Sequence, residues 1–204
     1  MRIILIKINC IRVKGLNMDK NISEKLLEIA KEKKALRYGS FKLSAGGTSP
    51  FYFDGRILTL DPEGSYYIAK GMLSLAYKVN ANAIAGPTIG ADPIVASVTF
   101  SSFIENRPIS GLLVRKDQKA HGGKKQIEGT VHEGMKVMVV DDTCTTAKSL
   151  FMAIEAIENE GCKVVQVASV LDRNEGGSDE IKKRGYRFFS FLTASVSGEI
   201  KASN

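Results

Sequence analysis

Residues Val137–Ser149, with the sequence VMVVDDTCTTAKS, join a short apolar run to two acids and a row of small and hydroxyl residues. Four consecutive apolar residues, Val137–Val140, are typical of a central strand in a parallel sheet. The pattern predicts a strand over Lys136–Val140, directly followed by the two acids, and a helix over Thr146–Asn159. The segment therefore predicts one strand–loop–helix unit of an α/β fold.

Such a unit has the parts needed to hold a phosphorylated ribose. Backbone N–H groups at a helix start, beside threonine hydroxyls, form a cradle for a phosphate. The carboxylates of Asp141 and Asp142 can accept hydrogen bonds from two ribose hydroxyls, and they place negative charge near a ring that becomes cationic when its C1 bond breaks. The alternative is a strand ending in two solvated acids, followed by an ordinary threonine N-cap. The candidate residues are Asp141, Asp142, Thr143, Cys144, Thr145, Thr146, Ala147, Lys148 and Ser149.

The rest of the chain repeats the order of strand, loop and helix. We predict further strands at Ala83–Ala85, Ile109–Val114, Val164–Leu171 and Tyr186–Leu192. We predict helices over Asn21–Arg37, closed by Gly39, over Pro62–Val79, capped by Asp61, and over Ala91–Phe103. This alternation predicts an α/β fold with a central parallel sheet flanked by helices. Ligands of such sheets bind beyond the carboxyl ends of the strands.

The composition predicts a compact domain without a membrane span. The chain has 204 residues, 44% of them hydrophobic, and no apolar run approaches the roughly 20 residues that a span needs. A net charge of +7 favours anionic partners, either small phosphorylated ligands or nucleic acid. Cys10, Cys144 and Cys162 are isolated and lack metal-ligand spacing, which predicts reduced thiols in a cytoplasmic protein and no zinc site.

Residues 1–17 form a basic extension ahead of the first predicted helix. Lys7 and Arg12 interrupt its apolar run, so a secretory signal is not expected. Two interpretations remain, an added edge strand and a segment upstream of a natural start at Met18, and we favour the second. We therefore assign residues 18–204 to a single domain.

A basic loop follows the strand predicted at Ile109–Val114. Residues Arg115–Lys125, RKDQKAHGGKK, carry five basic residues and a histidine against one acid. A glycine-containing loop of this charge on the ligand side of the sheet is typical of a lid over an anionic leaving group. Arg115, Lys116, Lys119 and Lys125 would neutralise developing charge, and His121 would donate a hydrogen bond or proton. The alternatives are a solvated loop and a nucleic-acid contact, but the loop lacks the interleaved aromatic residues of a nucleic-acid surface.

Both segments are similar to those of a known enzyme family. VMVVDDTCTTAKS resembles the phosphoribosyl-diphosphate motif of type I phosphoribosyltransferases, although Ala147 and Lys148 stand where that motif usually has glycine. Within this class, RKDQKAHG resembles the Arg-Lys-x-x-Lys-x-His-Gly loop of the orotate phosphoribosyltransferase family, and all five fixed positions match. The resemblance implies that Lys119 and His121 are the catalytic side chains of the loop. It also implies a homodimer in which each loop reaches the neighbouring subunit's site.

Three more segments fit the same family in order along the chain. Ser49–Arg56, SPFYFDGR, resembles its N-terminal hood, which here would span residues 38–58, and Gly86–Ile94, GPTIGADPI, resembles the loop that holds the diphosphate. Val170–Gly177, VLDRNEGG, supplies Arg173 just past a strand end. The sequence departs from some members, which have a lysine where Ser44 stands and a Tyr-Lys pair in place of Ile89-Gly90.

The resemblance implies how the base is held. Arg173 would bind the carboxylate of orotate through its guanidinium fork. Thr145 would hydrogen-bond the base, and Tyr52 or Phe53 would lie near the pyrimidine ring. The alternative for Arg173 is a surface arginine paired with an acid nearby.

Taken together, the segments imply the type I phosphoribosyltransferase fold and the transfer of a phosphoribosyl group from phosphoribosyl diphosphate to orotate in pyrimidine synthesis. Mg²⁺ would be held mainly by substrate and water rather than by protein ligands. No nucleic acid or membrane partner is expected. The rival hypotheses are a purine or uracil phosphoribosyltransferase and a regulator that senses phosphoribosyl diphosphate.

Overall fold

The computed structural model describes residues 18–42, 46–116 and 126–203. In chain order its helices are α1 (Met18–Glu32), α2 (Gly55–Thr59), α3 (Pro62–Lys78), α4 (Asp92–Ile104), α5 (Lys148–Asn159) and α6 (Gly177–Lys183). Its strands are β1 (Leu36–Lys42), β2 (Thr48–Phe53), β3 (Ala83–Pro87), β4 (Ser110–Val114), β5 (Ile127–Glu128), β6 (Lys136–Cys144), β7 (Lys163–Asp172), β8 (Phe188–Ala194) and β9 (Ile200–Ala202).

The central sheet has seven strands in the order β5-β4-β3-β6-β7-β8-β9. Its five inner strands are parallel, as the sequence predicts, and the short edge strands β5 and β9 pair antiparallel. One hydrophobic cluster packs α1, α3 and α4 against one face, and a second packs α5 against the other. Helices on both faces leave the strand ends as the places where polar side chains can meet a ligand.

The first helix ends earlier than the sequence predicts. α1 stops at Glu32 instead of running to Arg37, and Gly39 lies inside β1. The chain reverses through Lys34, which has a left-handed φ of 59°, and then pairs with β2. The missed boundary arises because β1 is formed by pairing with a later segment, which outweighs the local helical pattern.

The β1–β2 hairpin forms a separate two-stranded sheet beside the central one. Along β2, Phe51 and Phe53 are buried in the first hydrophobic cluster, and Tyr52 points to the exposed face. The hairpin lies where the resemblance predicts a hood. Among the described residues, no helix combines the length and apolar character of a membrane span.

Candidate active site

The two aspartates belong to β6 itself. The strand pairs with β7 as far as Cys144, so Asp141 and Asp142 lie within the ladder, and the prediction that the strand ends at Val140 is wrong. Asp141 is buried, with its Oδ2 accepting a bond of 2.8 Å from the Ser149 hydroxyl and its Oδ1 accepting one of 2.9 Å from the Asp142 N–H. The structure therefore brings the predicted site residues Asp141, Asp142 and Ser149 together and fixes the carboxylate of Asp141.

Two glycines allow the backbone to pass close to these carboxylates. A Cβ at Gly55 would lie 2.5 Å from Asp142 Oδ2, and one at Gly90 would lie 2.9 Å from Asp142 Oδ1 and 3.0 Å from Asp141 Oδ1. A side chain at either position would collide with the acids, so the start of α2 and the loop after β3 border the pair closely. Sequence reasoning did not assign a role to Gly55, although it lies in the quoted segment SPFYFDGR.

Burial sets the electrostatics of the pair. Removal from water, with the charge of Asp142 beside it, raises the pKa of Asp141 to about 8. Burial also raises the pKa of Asp142, and the nearby Arg56 opposes this shift. Near neutral pH the free site therefore favours one proton on the pair, which lowers the repulsion between two adjacent carboxylates.

The loop after β6 leads into the start of α5. The helix begins at Lys148 rather than at the predicted Thr146, and its N-cap is Ala147, a buried residue in the left-handed region with φ 60° and ψ 15°. No side chain caps α5, so its first amides are left for another acceptor. The Gly177 N–H donates to the Thr145 carbonyl at 3.0 Å, which ties the loop to the start of α6.

The side chains of the loop divide into inward and outward groups. Cys144 is fully buried, and burial raises its pKa to about 12, which makes it an inert core thiol. Thr143 and Thr145 are half-buried, while Thr146 and Lys148 are exposed. An oxygen-rich rim thus surrounds the amides at the start of α5.

Arg173 lies directly beside this rim. Its backbone N–H donates to the Cys144 carbonyl at 2.9 Å, and its guanidinium carbon stands 4.6 Å from the centre of the Phe51 ring. Nη2 donates to Ser49 Oγ at 3.4 Å, and Nε donates to Glu175 Oε1 at 2.8 Å. The pairing with Glu175 matches the alternative interpretation, but the side chain is only 12% exposed and also contacts the hairpin.

The hairpin places beside Arg173 an aromatic ring that the sequence analysis did not single out. Phe51 is the ring under Arg173, whereas Tyr52 faces away and lies 4.9 Å from the Arg37 guanidinium. Phe53 shares the buried face of Phe51. The signal that could have identified Phe51 is the period-2 alternation of β2, which places Ser49, Phe51 and Phe53 on one side. Arg173, Ser49 and Phe51 line a groove of about 310 Å³.

The first residues of the basic loop lie at the end of β4. Arg115 and Lys116 line a cavity of about 410 Å³ together with Thr88 and Ile89 of the loop after β3 and Asp92, the first residue of α4. Asp92 was not singled out from the sequence, and burial raises its pKa. Lys119 and His121 lie outside the described residues. The structure thus brings the start of the basic loop to the predicted diphosphate loop.

Comparison with known proteins agrees with this geometry. The family profile described as phosphoribosyl transferase domain matches residues 68–193. The orotate phosphoribosyltransferase of Aquifex aeolicus is 41% identical over 175 residues, which cover 84% of this chain and 95% of that protein. The chain belongs to the orotate phosphoribosyltransferase family.

Solved structures support this family assignment. A phosphoribosyltransferase from Corynebacterium diphtheriae is 34% identical with a TM-score of 0.72, and the match covers 85% of this chain and 96% of that one. The Mycobacterium tuberculosis orotate phosphoribosyltransferase, solved in complex with phosphoribosyl diphosphate, is 30% identical with a TM-score of 0.68. The match covers 86% of this chain and 96% of that one. The type I phosphoribosyltransferase fold predicted from the sequence is confirmed.

Asp141 and Asp142 suit a Mg²⁺ ion that is held mainly by substrate and water. In the described parts of the chain, no group of three or more metal-binding side chains converges on one point. The pair at Asp141 and Asp142 offers hard oxygen donors but no closed cage. Mg²⁺ favours such sites when substrate oxygens and waters complete its octahedron. The site therefore fits a metal that arrives with a phosphorylated substrate.

Proposed function

We propose that this chain catalyses the transfer of the 5-phosphoribosyl group from phosphoribosyl diphosphate to orotate, giving orotidine 5′-phosphate and diphosphate in the synthesis of UMP. The observation that carries the proposal is that the carboxylate pair of β6 and Arg173 at the end of β7 lie on neighbouring strands, which the bond from the Arg173 N–H to the Cys144 carbonyl joins. The pair suits a ribose whose C1 becomes cationic, and the guanidinium suits an acceptor that carries a carboxylate.

The ribose half of the site consists of Asp141, Asp142 and the cradle Thr145–Ser149. The two carboxylates accept hydrogen bonds from the 2- and 3-hydroxyls and stabilise positive charge at C1 as the bond to diphosphate lengthens. The first amides of α5 and the hydroxyls of the cradle hold the 5-phosphate, assisted by the positive end of the helix dipole. Lys148 is exposed and free to approach the same phosphate.

The base half consists of Arg173 with Ser49 and Phe51. The Phe51 ring and the Ser49 hydroxyl support the guanidinium, whose remaining N–H groups bind the orotate carboxylate. Thr145 hydrogen-bonds the base at the border between the two halves. We retain Tyr52 and Phe53 as candidates for contact with the pyrimidine ring. Positioning of base and ribose supplies much of the rate, because the reaction needs little covalent help.

The leaving group is neutralised by the basic loop. Arg115, Lys116 and Lys119 balance the charge of the diphosphate, and His121 donates a hydrogen bond or proton to it. Mg²⁺, held mainly by substrate and water near the carboxylates of Asp141 and Asp142, would withdraw negative charge from the leaving diphosphate. We expect Lys119→Ala to lower kcat strongly and to leave the unfolding transition unchanged. An unchanged kcat would refute the role of the loop.

A competition between bases tests the proposed function. The enzyme is incubated with phosphoribosyl diphosphate, Mg²⁺ and either orotate, uracil or adenine, and product nucleotide and diphosphate are measured by chromatography. We expect turnover with orotate alone, and its loss when Mg²⁺ is chelated. Turnover of uracil or adenine without orotate would instead make the chain a different phosphoribosyltransferase. Specific binding of phosphoribosyl diphosphate without turnover would make it a sensor.

A homodimer is part of the proposal. Large apolar side chains are exposed on α2, on the loop after β3 and on α4, and α2 packs against α4. They are Ile57, Leu60, Ile89, Phe100, Phe103 and Ile104. Phe100 and Phe103 are 70% and 73% exposed, which is unfavourable for an isolated chain. Ile89 of this face lines the same cavity as Arg115 and Lys116, so a second copy bound against Ile89 would lie close to the start of the basic loop.

Mass measurement in solution tests this interface. Phe103→Glu should convert a dimer into a monomer and lower kcat, since each loop would lose the neighbouring site. Lys182→Glu is the control, because it places a glutamate at an exposed residue of α6 outside the face. A dimer that persists in the Phe103 variant would exclude this face as the interface.

We also propose that residues 18–204 suffice for activity and that the enzyme acts in the cytoplasm without nucleic-acid or membrane partners. Cys144 and Cys162 are buried and unpaired, which suits a reducing compartment. Normal activity after deletion of residues 1–17 would support the domain assignment, and loss of activity would contradict it.

A further inference from the structure

A basic groove lies at the amino ends of the central strands, at the end of the sheet opposite the candidate active site. It lies where α3 ends and β6, β7 and β8 begin, and it has a volume of about 460 Å³. Its ten lining residues include four cationic side chains and no acid. They are Lys78, Val79, Asn80, Lys136, Lys163, Val164, Val165, Gly185, Tyr186 and Arg187. We call this the amino-edge groove.

Three neighbouring strands each place a cation at this edge. Lys136 and Lys163 are direct partners in the β6–β7 register, and Arg187 stands one residue before β8. All three side chains are exposed, and none forms an ion pair with a carboxylate in the part of the chain that the structure describes. Like charges placed opposite each other on neighbouring strands are unfavourable unless an anion lies between them.

The frame of the groove is held firmly. The backbone N–H of Lys136 donates to Asn82 Oδ1 at 2.9 Å, and that of Lys163 donates to the Met135 carbonyl at 2.7 Å. The Tyr186 hydroxyl donates to Glu158 at 3.0 Å, so the ring at the rim is fixed in place. The backbone from which the cations extend is therefore fixed, and the freedom lost on binding a ligand is that of the side chains alone.

The spacing of the cations indicates the class of ligand. Adjacent strands lie about 4.8 Å apart, and the β7–β8 register puts Arg187 three residues further along the strands than Lys163, so the backbone positions of the three cations spread over roughly 14 Å. A single phosphate cannot reach all of them, whereas a chain of phosphates can. The groove is also separate from the catalytic site, because Asp141 lies five residues along β6 from Lys136, a distance of about 16 Å.

We propose that the amino-edge groove binds a polyphosphate anion, either inorganic or the phosphate chain of a nucleoside triphosphate. A nucleotide would gain a further contact by stacking its base on Tyr186. The cations line one concave groove of limited volume, which favours a small elongated anion over a nucleic acid.

Calorimetric titration of the full chain tests the proposal. Inorganic tripolyphosphate and ATP are titrated at low salt, with the catalytic site filled by phosphoribosyl diphosphate and Mg²⁺ in the absence of orotate. We expect one saturable site per chain. Lys136→Gln combined with Lys163→Gln should weaken binding at least about tenfold, because two charge-assisted contacts are lost. The same variant should retain the wild-type kcat with orotate.

Matched controls give each outcome a meaning. Lys31→Gln combined with Lys182→Gln removes the same charge from exposed positions outside the groove and should leave affinity unchanged. Tighter binding of ATP than of tripolyphosphate would assign the groove to nucleotides, and equal binding to polyphosphate in general. The proposal is overturned by the lack of a saturable site, by equal loss in both double variants, or by a short oligonucleotide that binds more tightly than either probe. Comparison of the two double variants locates the binding site even if phosphoribosyl diphosphate does not bind to the chain.

Discussion

The two halves of the proposed active site are built in different ways. The ribose half is centred on one strand, and the backbone at Gly55 and Gly90 passes so close to its acids that an added Cβ would press against their carboxylates. The base half joins Arg173 of the central sheet to Ser49 and Phe51 of a separate hairpin. The difference indicates that the reaction chemistry depends on a rigid sheet, while the choice of base depends on how the hairpin docks against that sheet.

Substitution of the acids should have the largest effect and should act on the reaction step. We expect Asp142→Asn to lower kcat by about 10²- to 10³-fold, because it removes a negatively charged carboxylate that stabilises the cationic transition state. The KM for orotate should change little, since the base half is left intact. Steady-state kinetics with both substrates measures the two constants. Asp179→Asn, an exposed acid on α6, is the control and should behave like wild type. An equal change in the KM for orotate would show that the two halves are not independent.

The ribose half should also make stability depend on pH. Asp141 has a raised pKa of about 8 in the folded chain and about 3.9 when unfolded. Between these values the folded chain holds one proton more than the unfolded chain, so its unfolding free energy falls as pH rises from about 4 to 8. Asp141→Asn removes this contribution and should become the more stable protein towards pH 8. Denaturant unfolding across this range measures the difference. Parallel pH curves for the two proteins would contradict the burial of a titrating carboxylate.

The ribose half was largely predictable from sequence because its residues are contiguous. Apolar residues followed by acids and threonines revealed the strand, the cradle and the ligand side of the sheet. The extension of β6 to Cys144 was missed because it depends on pairing with β7, a segment distant in sequence. The close approach of Gly55 was missed for the same reason, since nothing local to α2 indicates that it borders Asp142.

A substitution in the base half should change the KM for orotate more than it changes kcat. Arg173→Lys keeps the charge but loses the guanidinium fork, so the KM for orotate should rise about 10- to 100-fold with a smaller change in kcat. Arg184→Lys is a closely matched control, because Arg184 also stands over a phenylalanine ring, Phe151 at 3.8 Å, and bonds a glutamate, Glu180 at 2.9 Å. It is 52% exposed and lies away from β7, so its variant should keep the wild-type KM. If both variants gave the same KM for orotate, Arg173 would not be part of the base half.

The base half was less predictable because it depends on register. The sequence indicated aromatic residues in the hairpin, but which ring meets Arg173 is decided by the pairing of β1 with β2 and by the docking of the hairpin. The structure places Phe51 there and turns Tyr52 towards Arg37. The short edge strands β5 and β9 were missed as well, since strands of two and three residues carry no periodic pattern.

The smallest expected effect concerns the left-handed Ala147 at the head of α5. A left-handed alanine costs about 1 kcal/mol relative to glycine, whereas loss of its buried methyl costs somewhat less than that. Ala147→Gly should therefore leave the unfolding free energy unchanged or slightly raised. Ala153→Gly is the control, because Ala153 is a fully buried residue inside the same helix and should lose about 1 kcal/mol or more. Urea unfolding of the two variants should differ by at least about 1 kcal/mol. Equal losses would mean that Ala147 is not strained, and that the cradle of the ribose half accommodates alanine without cost.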